Sequence, residues 1–186
     1  MFAHEARRLR RSVTTILFVH GVLVASWATE IPAARVRLGL SNGQLGLTLL
    51  GVPGGAILGM RGVAVLCRRW GSRTPTQWTT GLMCLALPGP LVSTKLLVAI
   101  PAMIVFGAAL GSMDVAMNAQ AVDAERTASR IAMPHFHAAF SFGGLAGSIL
   151  AALLSRSGAS PVTHLAIAGC LSLVLTARPL TRRPRP

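Results

Sequence analysis

Asp114 and Asn118 stand four residues apart within residues 107–122 (GAALGSMDVAMNAQAV) of a 186-residue chain. On a helix that spacing puts both side chains on one face. An aspartate at mid-helix in hydrocarbon costs about 2.5–3.5 kcal/mol to insert, so an acid in such a sequence is a site hypothesis by default. The chemistry it offers is proton uptake and release, with the amide as an orienting group. Low dielectric disfavours the charged carboxyl, which suits a proton carrier during half of its cycle. Beyond a short charged stretch holding Asp123, Glu125, Arg126 and Arg130 come His135 and His137. Imidazole changes charge near neutrality, and His137 stands deeper because Pro134 begins the next helix. Glu30, beside Pro32, closes the first apolar segment and is expected to pair with Arg35, with contact to the solute cavity and a coupling role as the alternative. Trp27 fits an interfacial belt or a stacking platform for a sugar-like solute.

The residues that must position these groups are apolar. The chain is 52% hydrophobic and 12% charged, with five acidic side chains, and its mean hydropathy is +0.60. That composition predicts an all-α integral membrane bundle. A net charge of +13 would suggest nucleic acid in a soluble protein. Here the basic residues lie in short clusters between apolar segments, which argues against a nucleic-acid partner and for the lipid bilayer. Cys67, Cys84 and Cys170 have no ligand-spaced partner and read as packing residues. No Ser/His/Asp set, phosphate loop, zinc spacing or dinucleotide fingerprint occurs, so the chain reads as a non-enzyme with no metal and no cofactor.

Six apolar segments are predicted, at 14–33, 43–66, 75–94, 96–119, 135–154 and 161–178. Residues 1–12 form a basic N-terminus, 13–178 the transmembrane bundle, and 179–186 a basic Pro/Arg-rich, disordered tail. Ser41 should cap the second segment. The glycines at 43, 46, 51, 54, 55, 59 and 62 should let helix backbones approach closely. Arg61, well inside that segment, should snorkel to an interface. The third segment is interrupted by Pro88-Gly89-Pro90. Residues 121–133 read as a loop.

With the N-terminus inside, thirteen lysines and arginines face the cytoplasm. Only Arg35, Arg37, Lys95 and Arg156 face the other side, with Arg61 in a helix. The positive-inside rule then puts both termini in the cytoplasm, in the inner membrane of a bacterial cell. An internal echo pairs Val52-Pro53-Gly54-Gly55-Ala56 with Ser141-Phe142-Gly143-Gly144-Leu145, each in the middle helix of a three-helix set. Such a 3+3 arrangement is how many secondary transporters are built.

The stretch from Gly111 to Val122, followed by His135-Phe136-His137-Ala138-Ala139-Phe140-Ser141-Phe142-Gly143-Gly144, resembles helices four and five of a bacterial group in the major facilitator superfamily similar to the fucose permeases. The Trp27 to Arg35 ending and the Ser41-x-x-Gln44-Leu45-Gly46-Leu47 entry fit the same group. The resemblance implies alternating-access, proton-coupled transport of a small solute, sugar-like or otherwise polar. It implies a proton-coupling role for Asp114, with Asn118 beside it, and matches Phe140, Ser141 and Gly143 to the fifth-helix pattern. The superfamily's loop between helices two and three corresponds here to Ala64, Arg68, Arg69, Gly71 and Arg73, so its first glycine and its aspartate are missing. Glu30 lies about two residues from the family's first-helix acid and is not equated with it.

Family members have about twelve helices in two halves, and these six segments correspond to the N-terminal half. A lone half leaves one cavity wall uncovered. A second six-helix half, a homodimer, or a shortened remnant that serves only as an assembly partner are the alternatives; a shortened or split transporter is favoured over a self-sufficient homodimer.

Overall fold

In hydrocarbon every backbone donor and acceptor must be satisfied within the segment, which leaves the helix as the only local solution for these apolar runs. The computed structural model describes residues 2–128 and 132–181. Among them are nine helices and no strand: α1 (Phe2–Thr29), α2 (Ile31–Leu38), α3 (Asn42–Leu49), α4 (Gly51–Trp70), α5 (Arg73–Ala86), α6 (Gly89–Val92), α7 (Leu96–Ala128), α8 (Met133–Arg156) and α9 (Pro161–Thr181). The protein is an all-α membrane bundle. Four stretches are long and apolar enough to cross a membrane: Ala6–Leu38, Asn42–Trp70, Leu96–Thr127 and Met133–Arg156.

Helices occupy all six predicted segments, with changed bounds, and four stretches rather than six have the length and apolarity to span. The third is split into α5 and α6 at Leu87-Pro88, because proline has no N–H for the helix ladder. Its 14-residue part, α5, is about 21 Å long, short of a core about 30 Å thick. The sixth contributes a shorter apolar helix, Pro161–Ala177. The basic N-terminus is helical from Phe2 onward and continuous with α1. The expected loop at 121–133 is another correction: α7 runs on to Ala128, through a stretch rich in alanine and other helix formers. Of the predicted tail, residues 182–186 lie outside the described residues, as does Arg130.

Local signals work as their chemistry requires. Ser41 Oγ accepts from Gln44 N at 3.2 Å while Gln44 Oε1 accepts from Ser41 N at 2.9 Å, a reciprocal capping box at the start of α3. Gly39 ends α2 at φ 62, a left-handed conformation that glycine adopts without a side-chain penalty. Glu125 Oε1 accepts from Ala132 N and Met133 N, each at 2.6 Å, so the end of α7 supplies the cap for α8.

The core is built from Leu17, Leu23, Met103, Phe106, Met113, Phe136 and Leu165, all buried. Helix pairing around it has an internal symmetry: α1 packs along α8 and α7 along α4, while α5 lies on α7 as α9 lies on α1. The glycines state the symmetry residue by residue. A methyl on Gly55 would run into the Ile104 carbonyl and one on Gly59 into that of Ala108; methyls on Gly143 and Gly147 would meet the carbonyls of Phe18 and Val22. Reciprocally, Gly107 lies against Val52 O and Gly21 against Phe140 O. Each of these three glycine contacts of α1 with α8 thus has its counterpart between α7 and α4. This corrects the register of the sequence echo by one residue. Gly55 corresponds to Gly143, whereas Gly54 touches nothing within 4 Å.

Candidate functional site

Asp114 sits on α7, half-buried, one residue past the buried Met113. Asn118 is one turn further on and equally half-buried. The Asn118 amide donates to Asp114 Oδ1 at 3.2 Å and to the Asp114 backbone carbonyl at 2.9 Å. A single amide group therefore fixes one carboxylate oxygen and leaves the other open to a proton or solute. From α8, His137 lies within electrostatic reach of the Asp114 carboxyl. Asp114 and Asn118 thus form one pair on α7, with His137 exposed on α8. His137 is only four residues from the start of α8, about 6 Å along its axis. His137 accordingly lies toward the end of the bundle that carries the N-terminus.

Glu30 and Trp27 are elsewhere. Glu30 Oε1 lies 2.7 Å from His164 Nδ1, joining the end of α1 to the start of α9, with side chains 14% and 2% exposed. The expected pairing of Glu30 with Arg35 is not formed; Arg35 Nε donates instead to the Leu40 carbonyl at 3.2 Å. The reason is geometric: the chain turns at Glu30 between α1 and α2, and the carboxylate faces the bundle where His164 is buried. Trp27 is buried and stacks on Phe106 of α7, with ring centroids 4.7 Å apart, so it packs within the core rather than in an interfacial belt.

The loop candidates cluster at the other junction. Arg69 is exposed at the end of α4, Gly71 turns the chain at φ 73, and Arg73 opens α5. Ser72 Oγ donates to Asp123 Oδ2 at 2.7 Å. An acid from the end of α7 therefore reaches the loop that lacks an aspartate of its own. Arg61 is exposed on α4.

Spacing along the chain could not reveal His164, which lies 134 residues from its partner. A signal was available, since a histidine four residues into an apolar segment is an intramembrane ionisable group. The same holds for His20, which is buried on α1 with its ring 5.6 Å from that of Phe140. Its Nδ1, His164 Nε2 and Gln120 Oε1 are buried polar atoms with no hydrogen-bond partner.

No model of a known protein family matches the chain, and no solved structure matches it. Curated relatives do. It is 38% identical over 165 residues to an uncharacterised MFS-type transporter of Yersinia pestis, covering 88% of this chain and 43% of that protein. It is 32% identical over 130 residues to the membrane protein MosC of Rhizobium meliloti, covering 70% and 32% respectively. It is 31% identical over 140 residues to an uncharacterised transporter of Sinorhizobium fredii, covering 74% and 37%. The chain therefore spans less than half the length of these relatives. This similarity identifies the chain as a member of the major facilitator superfamily, corresponding to part of the length of its relatives.

Proposed function

We propose that the chain is the N-terminal six-helix half of an alternating-access transporter for a small polar solute, with Asp114 carrying a coupling proton. The observation that carries this reading is the half-buried carboxylate of Asp114 on an apolar helix, with one oxygen tied to the Asn118 amide. Protonation removes the carboxylate charge inside the bundle and so changes which packing of its helices is favoured. Positive-inside counting supports cytoplasmic termini and an inner-membrane location.

A second six-helix half completes the cavity. Its support is a row of glycines on the second span, Gly43, Gly46, Gly54 and Gly62, with open space where a side chain would lie. Gly55 and Gly59 of the same span are already occupied by α7. Open small residues on an otherwise paired helix suit a further close helix contact. The relatives' greater length supports the same completion, and also a second reading in which this half assembles without transporting.

Reconstitution decides between them. Vesicles holding the chain alone, and vesicles holding it with the remaining half of a relative, are assayed for uptake of radiolabelled monosaccharides under an inward proton gradient. Uptake in the paired vesicles supports the proposal. Assembly with no gradient-driven uptake of any solute in the panel favours the assembly role.

A further inference from the structure

Two grooves at the N-terminal end of the bundle share part of their walls. One, of about 450 Å³, is apolar and lies between α1, α8 and α9, with Phe18, Ala138, Ala139, Phe142 and Leu175 in its walls. The other, of about 520 Å³, is lined by Arg7, Arg10 and Arg11. Thr14, Thr15 and His135 line both, so the two form one cleft that is cationic at its mouth and apolar inward.

The chemistry of the mouth is one-sided. Thr14 and Thr15 donate their hydroxyl protons to the backbone carbonyls of Arg10 and Arg11, at 2.9 and 3.0 Å. Arg10, Arg11 and His135 are left as the side chains that can donate to an anion. The inner groove is open on its flank, with Phe142 66% and Leu175 48% exposed. From Arg7 to Phe18 the cleft follows eleven residues of helix, about 16 Å, comparable to half of a hydrocarbon core about 30 Å thick. The apolar run begins at Val13, directly after Arg10 and Arg11, which puts those arginines at headgroup depth.

We infer that this cleft binds one anionic phospholipid, its phosphate against Arg10, Arg11 and His135 and an acyl chain along Phe18, Ala138 and Phe142. Basic pockets between membrane helices recognise such headgroups, and the shared wall requires both properties in one molecule. A soluble anion would leave the groove at Phe142 empty, and a neutral lipid would leave Arg10 and Arg11 without a counter-charge. The site stands on the membrane placement of the bundle and is independent of the role of Asp114.

The test uses the full chain purified in neutral detergent, with bound lipid counted by native mass spectrometry. Dioleoylphosphatidylglycerol is expected to be retained as a single adduct in preference to dioleoylphosphatidylcholine. Arg10→Gln with Arg11→Gln should weaken phosphatidylglycerol binding by about tenfold or more, given roughly 1 kcal/mol per basic residue near a lipid surface. Ala138→Phe, which fills the apolar arm at an exposed position, should weaken it with every cation intact. Phe142→Ser should do so as well. Arg8→Gln with Arg126→Gln removes the same charge from outside the cleft and should leave binding within about twofold. Equal loss in that control pair would overturn the site in favour of diffuse attraction. So would unaltered binding in both apolar-arm variants, or displacement of the lipid by soluble glycerophosphate at equal concentration. A dimer mass that disappears with Ala138→Phe would assign the cleft to a second copy of the chain and overturn the lipid.

Discussion

Helices α1 and α8 meet through Gly21, Gly143 and Gly147, and helices α4 and α7 meet through Gly55, Gly59 and Gly107 in the same reciprocal pattern. The polar groups do not repeat. The shift of 86 residues that takes Phe18 to Ile104 and Val22 to Ala108 takes Ala28 to Asp114 and Pro32 to Asn118. The acid and its amide exist in one repeat only; the other repeat carries Glu30 at a position matched by Ala116, and ties it to His164. Packing of backbones in lipid depends on small residues at fixed spacing, so both repeats keep it. An intramembrane acid is costly, so nothing in the packing favours keeping it in both repeats.

The comparison can be broken at its packing first. Gly55→Val and Gly143→Val should each cost about 3 kcal/mol, because in each case a branched side chain meets a backbone carbonyl with nowhere to move. Thermal unfolding in detergent measures both. A large loss at one with none at the other would dissolve the symmetry. Next in size is the Glu30 and His164 contact, which has no counterpart in the other repeat. A double-mutant cycle with Glu30→Gln and His164→Phe should return a coupling of about 2 kcal/mol, as expected of a hydrogen bond involving a charged group. A coupling near zero would mean that α1 and α9 are held by packing alone. Glu125→Gln should act more locally, raising amide exchange at Met133 while leaving the α1 and α8 contact unchanged; unaltered exchange would remove the cap. Smallest is Gly54→Ala, expected within about 0.5 kcal/mol of the parent because its side chain enters open space. A loss comparable to that at Gly55 would restore the register with Gly54 opposite Gly143.

Long apolar runs made the membrane bundle legible in the sequence, and the reciprocal signature of Ser41 and Gln44 made the entry to α3 legible. The neighbourhood of Asp114 and Asn118 was legible because one helical turn separates them. The split of the third segment had a written cause in Pro88, yet its apolar content argued for a single span. The end of α7 was missed because charged residues in an alanine-rich stretch read equally as a loop or as a solvated helix turn. The register of the repeat was off by one because two adjacent glycines align equally well in either phase, and only the carbonyl opposite selects between them. Glu30 was assigned the basic residue nearest in sequence, whereas its partner arrives from the far end of the chain.

The central claim is that the acid present in one repeat alone couples solute movement to protons. The direct measurement compares the parent with Asp114→Asn in vesicles holding the completed transporter, following both accumulation under a proton gradient and exchange at equal solute concentration on the two sides. The account predicts that Asp114→Asn loses accumulation and keeps exchange, since the neutral amide mimics the protonated carboxyl but cannot release a proton. Accumulation by Asp114→Asn with the parent's dependence on pH would contradict it.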